Sequence, residues 1–189
     1  MQKRRTFTVM AILLAVLVLG IGYAAVSSVT LDLNGTANIK ANADFTVEYD
    51  TAHTVGKSSA DTITVGSDTH AVVEGAYTST SVATMTVWLD NTHREVSAIY
   101  KIDNKSSELS ASLAATITSI TGTNETYFDP IEATYYSDAA CTQALGTGDV
   151  VEHGQSAYLK VTVRLAKSPL DDITGATFKV VTTASPEEA

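Results

Sequence analysis

Apolar and polar residues alternate with a period of two over most of the chain. The clearest stretch is residues 158–165, in which every second residue is Leu or Val and the residues between are polar or aromatic. A strand with one face on a core and the other in water has this pattern. The same alternation occurs, with varying strength, in residues 29–33, 36–40, 45–49, 62–65, 71–77, 84–89, 98–103, 109–117, 131–136 and 178–180. We therefore predict an all-β protein of ten or eleven strands.

Turn-forming residues separate these segments. Asn34-Gly35 lies between two alternating stretches and is typical of a tight hairpin. Only residues 168–172, Ser-Pro-Leu-Asp-Asp, favour a short helix, with Ser at the N-cap and Pro in the first turn. Many short antiparallel strands form a sandwich or a barrel. We predict an N-terminal strand arm at residues 25–40, a β-sandwich domain at residues 41–184 and a disordered tail at residues 185–189.

The first residues have the pattern of an export signal. Lys3, Arg4 and Arg5 precede an apolar run over residues 9–19, and Gly22-Tyr23-Ala24 satisfies the small-x-small rule for cleavage. We predict a helical signal peptide at residues 1–24, cleaved between Ala24 and Ala25, and an extracellular or cell-surface protein. The alternative is an uncleaved anchor, because residues 9–26 carry no charge and reach the lower limit of a membrane span. That segment is the only membrane contact we expect.

Charge and cysteine content narrow the functional classes. The chain of 189 residues has 12 basic and 21 acidic side chains, a net charge of −9. Without the three basic residues at the start, nine basic side chains face 21 acidic ones, a balance near −12. Phosphate contacts need Lys and Arg, so we expect no nucleic-acid partner. Cys141 is the only cysteine, which excludes an intramolecular disulfide.

The sequence contains no recognisable catalytic or metal-binding motif. His53, His70, His93 and His153 lack the spacing of metal ligands, and we expect them on the surface. Asp129, Asp171 and Asp172 fall near loops, where they either join a calcium site or remain solvated. We predict no enzyme activity and no cofactor. A secreted metallohydrolase would require zinc bound in stoichiometric amount.

Aromatic residues leave a binding role open. Trp88, Tyr100, Tyr135, Tyr136 and Tyr158 lie on predicted strands, where such residues either pack across strands or form a stacking surface for glycans. Three N-glycosylation sequons begin at Asn34, Asn104 and Asn124.

Several stretches together resemble one protein family. They are Gly-Tyr-Ala-Ala-Val-Ser at 22–27, Leu-Asp-Leu-Asn-Gly-Thr-Ala at 31–37, Ala-Ile-Tyr-Lys-Ile-Asp-Asn-Lys-Ser at 98–106, and the closing segments 159–165 and 176–183. In this layout the chain resembles the TasA/camelysin family of surface and biofilm-matrix fibre proteins, which a dedicated signal peptidase exports. The resemblance implies an antiparallel jelly-roll-like β-sandwich. It also implies polymerisation by donation of an N-terminal strand, with an accessory matrix subunit as a further partner. Camelysins have been described as metallopeptidases, but no zinc-ligand spacing supports that activity here.

The segment after the predicted cleavage site suits strand donation. Val29, Leu31 and Leu33 alternate with polar residues and could add to an open sheet edge of another subunit. Head-to-tail donation produces open filaments. The alternative is pairing within its own domain through the Asn34-Gly35 turn. We predict a homopolymeric subunit of an extracellular fibre, pilus or biofilm matrix; the alternative is a monomeric adhesin or glycan-binding module.

Overall fold

The computed structural model describes residues 29–31, 45–80, 82–121, 127–166 and 176–187. These ranges contain antiparallel strands and no α-helix, which confirms the prediction of an all-β protein. The strands are β1 (Val29–Leu31), β2 (Val47–Tyr49), β3 (Gly56–Lys57), β4 (Thr62–Val65), β5 (Asp68–Ala71), β6 (Val73–Ser79), β7 (Val82–Val87), β8 (Glu95–Asn104), β9 (Ser110–Thr121), β10 (Glu132–Tyr136), β11 (Ser156–Arg164) and β12 (Ala176–Glu187). The predicted signal peptide, the Asn34-Gly35 turn, the strand at 36–40 and the helix at 168–172 lie outside the described residues.

The strands form two five-stranded sheets and one hairpin. In sheet A the order is β6-β7-β12-β9, and β1 also pairs with β12. In sheet B the order is β10-β11-β8-β2, and β3 also pairs with β8. The hairpin joins β4 to β5 through the predicted turn, where Gly66 has a φ of 64° that suits glycine.

One hydrophobic core takes side chains from both sheets. The alternating face predicted for residues 158–165 is buried, because Leu159, Val161 and Val163 each have no exposed surface. Most of the largest buried side chains come from β2, β7, β8, β11 and β12; they include Tyr49, Met85, Val87, Tyr100, Ile102, Leu159, Val161, Val163 and Val180. The period-two pattern therefore identified the inner faces of the long strands.

The last strand is longer than predicted. β12 continues through Glu187, and Ser185, Pro186 and Glu187 pair with Ser112, Ala111 and Ser110 of β9. The prediction of a disordered tail is wrong for residues 185–187, and the domain does not end at residue 184. The prediction failed because the polar composition of these residues suggested disorder, whereas main-chain pairing with β9 does not depend on side-chain polarity.

Candidate functional site

The two edges of β12 are paired differently. One edge pairs with β9 from Thr177 to Glu187. The other edge pairs with β7 over Ala176–Lys179 and then with β1 over Thr182–Ala184. Two strands from distant parts of the sequence therefore share one edge, and within the described residues β1 pairs with it at three positions.

The ladder between β9 and β12 shows which main-chain groups of β12 face β1. Ala111 and Val151 exchange both hydrogen bonds at 2.8 Å, so Ala111 directs its N–H and C=O away from β12. Along a strand this direction alternates, so Leu113 and Ala115 do the same. Their partners Ala184 and Thr182 must then direct their own N–H and C=O to the opposite edge, toward β1.

We call this part of the edge, at Val180, Thr182 and Ala184, the β12 slot. Pairing with β7 ends at Lys179, immediately before the slot. Pro186 follows at the next position of the same parity, and a proline has no N–H to leave unpaired at a sheet edge. The slot is thus a short stretch of edge with defined limits that needs one extended segment as its partner.

The residues of the slot belong to the core. Thr182 and Ala184 have no exposed surface. Tyr135 Oη donates to Thr182 Oγ1 at 3.0 Å, and Tyr49 Oη forms a hydrogen bond with the same atom at 3.2 Å. Burial raises the pKa of Tyr49 to about 12 and raises that of Tyr135 as well, so both phenols stay neutral. The slot therefore lies over a polar contact that links the two sheets.

The structure places two of the three predicted assembly residues at the slot. The register sets Val29 opposite Ala184 and Leu31 opposite Thr182. Leu33 lies outside the described residues, as do Ala24, Ala25 and the Asn34-Gly35 turn. Sequence reasoning missed Thr182, Ala184 and Pro186. One signal was available, because Thr182 interrupts the apolar alternation of Phe178, Val180 and Ala184.

Some of the aromatic residues considered for a stacking face are buried, and others are partly exposed. Tyr100 and Tyr135 are buried, with 1% and 8% exposure, so they are unavailable to a glycan. Trp88 stacks on His70 with ring centroids 3.7 Å apart and an interplanar angle of 9°. Tyr136 and Tyr158 remain partly exposed and pair in register between β10 and β11.

Two of the four histidines are less exposed than predicted. His53 and His153 are exposed, whereas His70 and His93 are partly buried. His70 packs on Trp88, and His93 Nδ1 lies 3.1 Å from Asp90 Oδ1. Within the described ranges no three His, Cys, Asp or Glu side chains are grouped to hold a metal ion. Asp129 is exposed, and Asp171 and Asp172 lie outside those ranges.

Asn104, in the segment that carries the family resemblance, is a buried structural residue with 1% exposure. Its Nδ2 donates to the carbonyls of Leu109 and Val151, both at 2.9 Å, and its Oδ1 accepts from Ser106 N at 3.1 Å. The sequon at Asn104 is therefore inaccessible in the folded chain. The segment after β8 is fixed by these bonds.

A small cavity lies beside β9, lined by Leu113, Tyr135, Leu145, Gly146, Asp149 and Val151. Its volume of about 30 Å³ has room for only a water molecule or two.

Among the described residues no helix has the length and apolar character needed to cross a membrane. Comparison of the chain with protein-family models, curated proteins and solved structures gives no match.

Proposed function

We propose that the chain is a secreted structural subunit of an extracellular fibre, pilus or biofilm matrix, with a jelly-roll-like arrangement of its strands. Subunits assemble by β-strand addition: residues 29–33 of one subunit occupy the β12 slot of the next. The observation that carries the proposal is the pairing of β1 with Thr182–Ala184 within one chain, which supports β1 as a strand for donation and β12 as an accepting edge.

Exchange between subunits preserves the contacts seen within one subunit. A strand that pairs with its own domain makes the same main-chain bonds in an identical neighbour, which is the basis of domain swapping. Residues 32–44 connect β1 to Phe45, and an extended segment of that length spans about 45 Å. This reach is sufficient for β1 to leave its own domain and pair with another.

The described contacts between β1 and β12 are modest enough to permit exchange. A main-chain hydrogen bond contributes a net ~0.5–1.5 kcal/mol to stability, and the described part of β1 pairs with β12 at three positions. Pairing of β1 with its own chain competes with pairing between subunits, because the effective concentration of β1 at its own slot is in the millimolar range. Filaments therefore form at high subunit concentration. They also form where β1 meets an open slot of a neighbour before it pairs with β12 of its own chain.

The experiment uses the chain beginning at Ala25, observed by negative-stain electron microscopy and sedimentation over a range of concentrations. We expect filaments, which disappear when residues 25–33 are deleted and shorten when a free peptide of residues 25–33 is added. Protein that stays monomeric at every concentration contradicts the proposal.

A matched pair of variants separates strand addition from general surface effects. Leu31→Asp introduces a carboxylate opposite the buried Thr182 and should abolish filaments. Thr30→Asp introduces the same charge opposite Thr183, which is partly exposed, and should leave filaments intact. Equal loss in both variants would show that charge, rather than position in the strand, controls assembly.

A monomeric glycan-binding module is the second candidate. The observation that favours it is the pair Tyr136 and Tyr158 on the outer face of sheet B, with the ring of His53 6.2 Å from that of Tyr158. A glycan array should then show binding that Tyr158→Ala removes. An array without binding, or binding unchanged by both Tyr158→Ala and Trp88→Ala, excludes this function.

A further inference from the structure

The second edge of β9 is long and open in the described part of the chain. β9 pairs with β12 on one side along its whole length. On its other side the bridge between Ala111 and Val151 covers only its first residues, and no described strand pairs with residues 113–121. Leu113, Ala115 and Ile117 direct their N–H and C=O toward this open edge, as the bonds of Ala111 show.

This edge lacks the features that protect exposed strands. Proteins shield sheet edges with charged side chains, prolines, short strands or a covering segment. Residues 109–121 contain no charged residue and no proline. The corresponding edge of β10 is covered, because Ala144 bridges to Tyr136 and Leu145 N donates to Tyr135 O at 2.8 Å. Thus β9 combines outward main-chain groups with an uncharged sequence.

We infer that this edge pairs with β9 of a second copy of the chain, in antiparallel orientation. Each copy carries a large negative charge, −9 for the whole chain and near −12 from Ala25, so two copies approach most easily where no charge faces the other. The acids near β9 lie at one end, where Glu152 Oε2 accepts from Ser110 Oγ at 2.7 Å and Glu187 pairs in register with Ser110. Antiparallel pairing places these acids near residues 117–121 of the partner, which carry no charge, whereas parallel pairing would bring the acids of both copies together.

A ladder centred on Ile117 uses the regular part of the open edge. It pairs Ala115 with residue 119, stops before the register shift that the β9–β12 ladder shows beyond Ser119, and leaves Val151 in place. Sheet A then continues from one copy into the other. This interface uses neither β1 nor the β12 slot, so it joins monomers in pairs and filaments side by side.

The test uses the chain from Ala25 with Leu31→Asp, which removes strand addition and leaves β9 unchanged. Sedimentation equilibrium should show a concentration-dependent rise to twice the monomer mass. Adding Ala115→Pro removes a main-chain donor that faces the open edge and no bond to β12, so the mass should stay that of a monomer. Ala115→Val keeps the donor and should still dimerise. A Leu31→Asp chain that is monomeric at every concentration overturns the inference.

Cross-linking tests the orientation. In a Cys141→Ser background, Thr116→Cys chains are mixed with Thr118→Cys chains. Antiparallel pairing about Ile117 puts these two positions opposite each other at a non-hydrogen-bonded pair, with Cα atoms about 4.5 Å apart. Mixed disulfide dimers should exceed either homodimer. Homodimers in excess overturn the proposed register. Absence of filaments in the unaltered chain would overturn only the proposed fibre.

Discussion

The hydroxyl of Tyr135 donates to Thr182 Oγ1 at 3.0 Å across the space between the two sheets. Tyr49 Oη contacts the same oxygen at 3.2 Å. One threonine in β12 thus forms hydrogen bonds with the tyrosine hydroxyl of β10 and with that of β2. It lies at the position that pairs with Leu31 of β1.

Thr182→Val should lower the free energy of unfolding by about 1–3 kcal/mol, because it leaves two buried phenols without their partner. Urea unfolding measures the change. The matched control is Thr183→Val, the neighbouring and partly exposed position, with an expected change within about 0.5 kcal/mol. Equal effects at the two positions would contradict the role of the Thr182 hydroxyl.

Gly75→Ala should destabilise the chain by about 1–3 kcal/mol through overpacking. A Cβ at Gly75 would clash with Val55 Cγ1 and lie 3.0 Å from Tyr100 Oη. Thermal or urea unfolding checks this, with Ala76→Ser on the exposed face of the same strand as the control. An unchanged or increased stability would show that Val55 moves aside at no cost.

Acidification should remove the contribution of Asp50. Lys101 Nζ donates to Asp50 Oδ2 at 2.8 Å and holds the pKa of that carboxyl below its usual value of 3.8. A carboxyl with a lowered folded-state pKa stabilises the fold above its unfolded-state pKa, and the contribution is lost as the pH falls through the folded-state pKa.

Asp50→Asn should therefore cost about 0.5–1 kcal/mol at pH 7 and less below pH 3.8. Urea unfolding at several pH values measures both differences. Asp68→Asn, at an exposed residue of β5, is the control. A difference between Asp50→Asn and the unaltered chain that grows on acidification would be opposite in sign to this prediction.

Cys141 should react slowly with iodoacetamide in the folded chain. Its thiol is partly buried, and burial raises its pKa, so less thiolate is present at pH 8 than in a free cysteine. Alkylation followed by mass spectrometry should show a rate that increases in urea. A folded-state rate equal to that of free cysteine would show that the thiol is open to solvent.

The sequence predicted the inner faces of the strands better than it predicted their partners. Leu159, Val161 and Val163 were assigned to the core because alternation depends only on local positions. The pairing of β1 with β12 could not be predicted, because many alternating segments were equally suitable partners for Val29 and Leu31.

Burial of single aromatic residues was also beyond local reasoning. For Tyr100 and Tyr135 the sequence leaves two roles open, packing across strands or a stacking surface for glycans. Both are buried, because Thr84 O accepts from Tyr100 Oη at 2.7 Å and Thr182 accepts from Tyr135. These acceptors come from other strands, so the packing of both sheets determines whether a tyrosine is buried.

β1 and β12, which pair with each other, lie near opposite ends of the given sequence. If the chain is secreted amino terminus first, as the proposed function requires, residues 29–31 would reach the outside before residues 182–184. During that interval β1 would have no partner in its own molecule, and a neighbour that has already donated its strand would present an empty slot. A growing tip would then capture chains in the order in which they emerge, so the rate of secretion would set the rate of elongation.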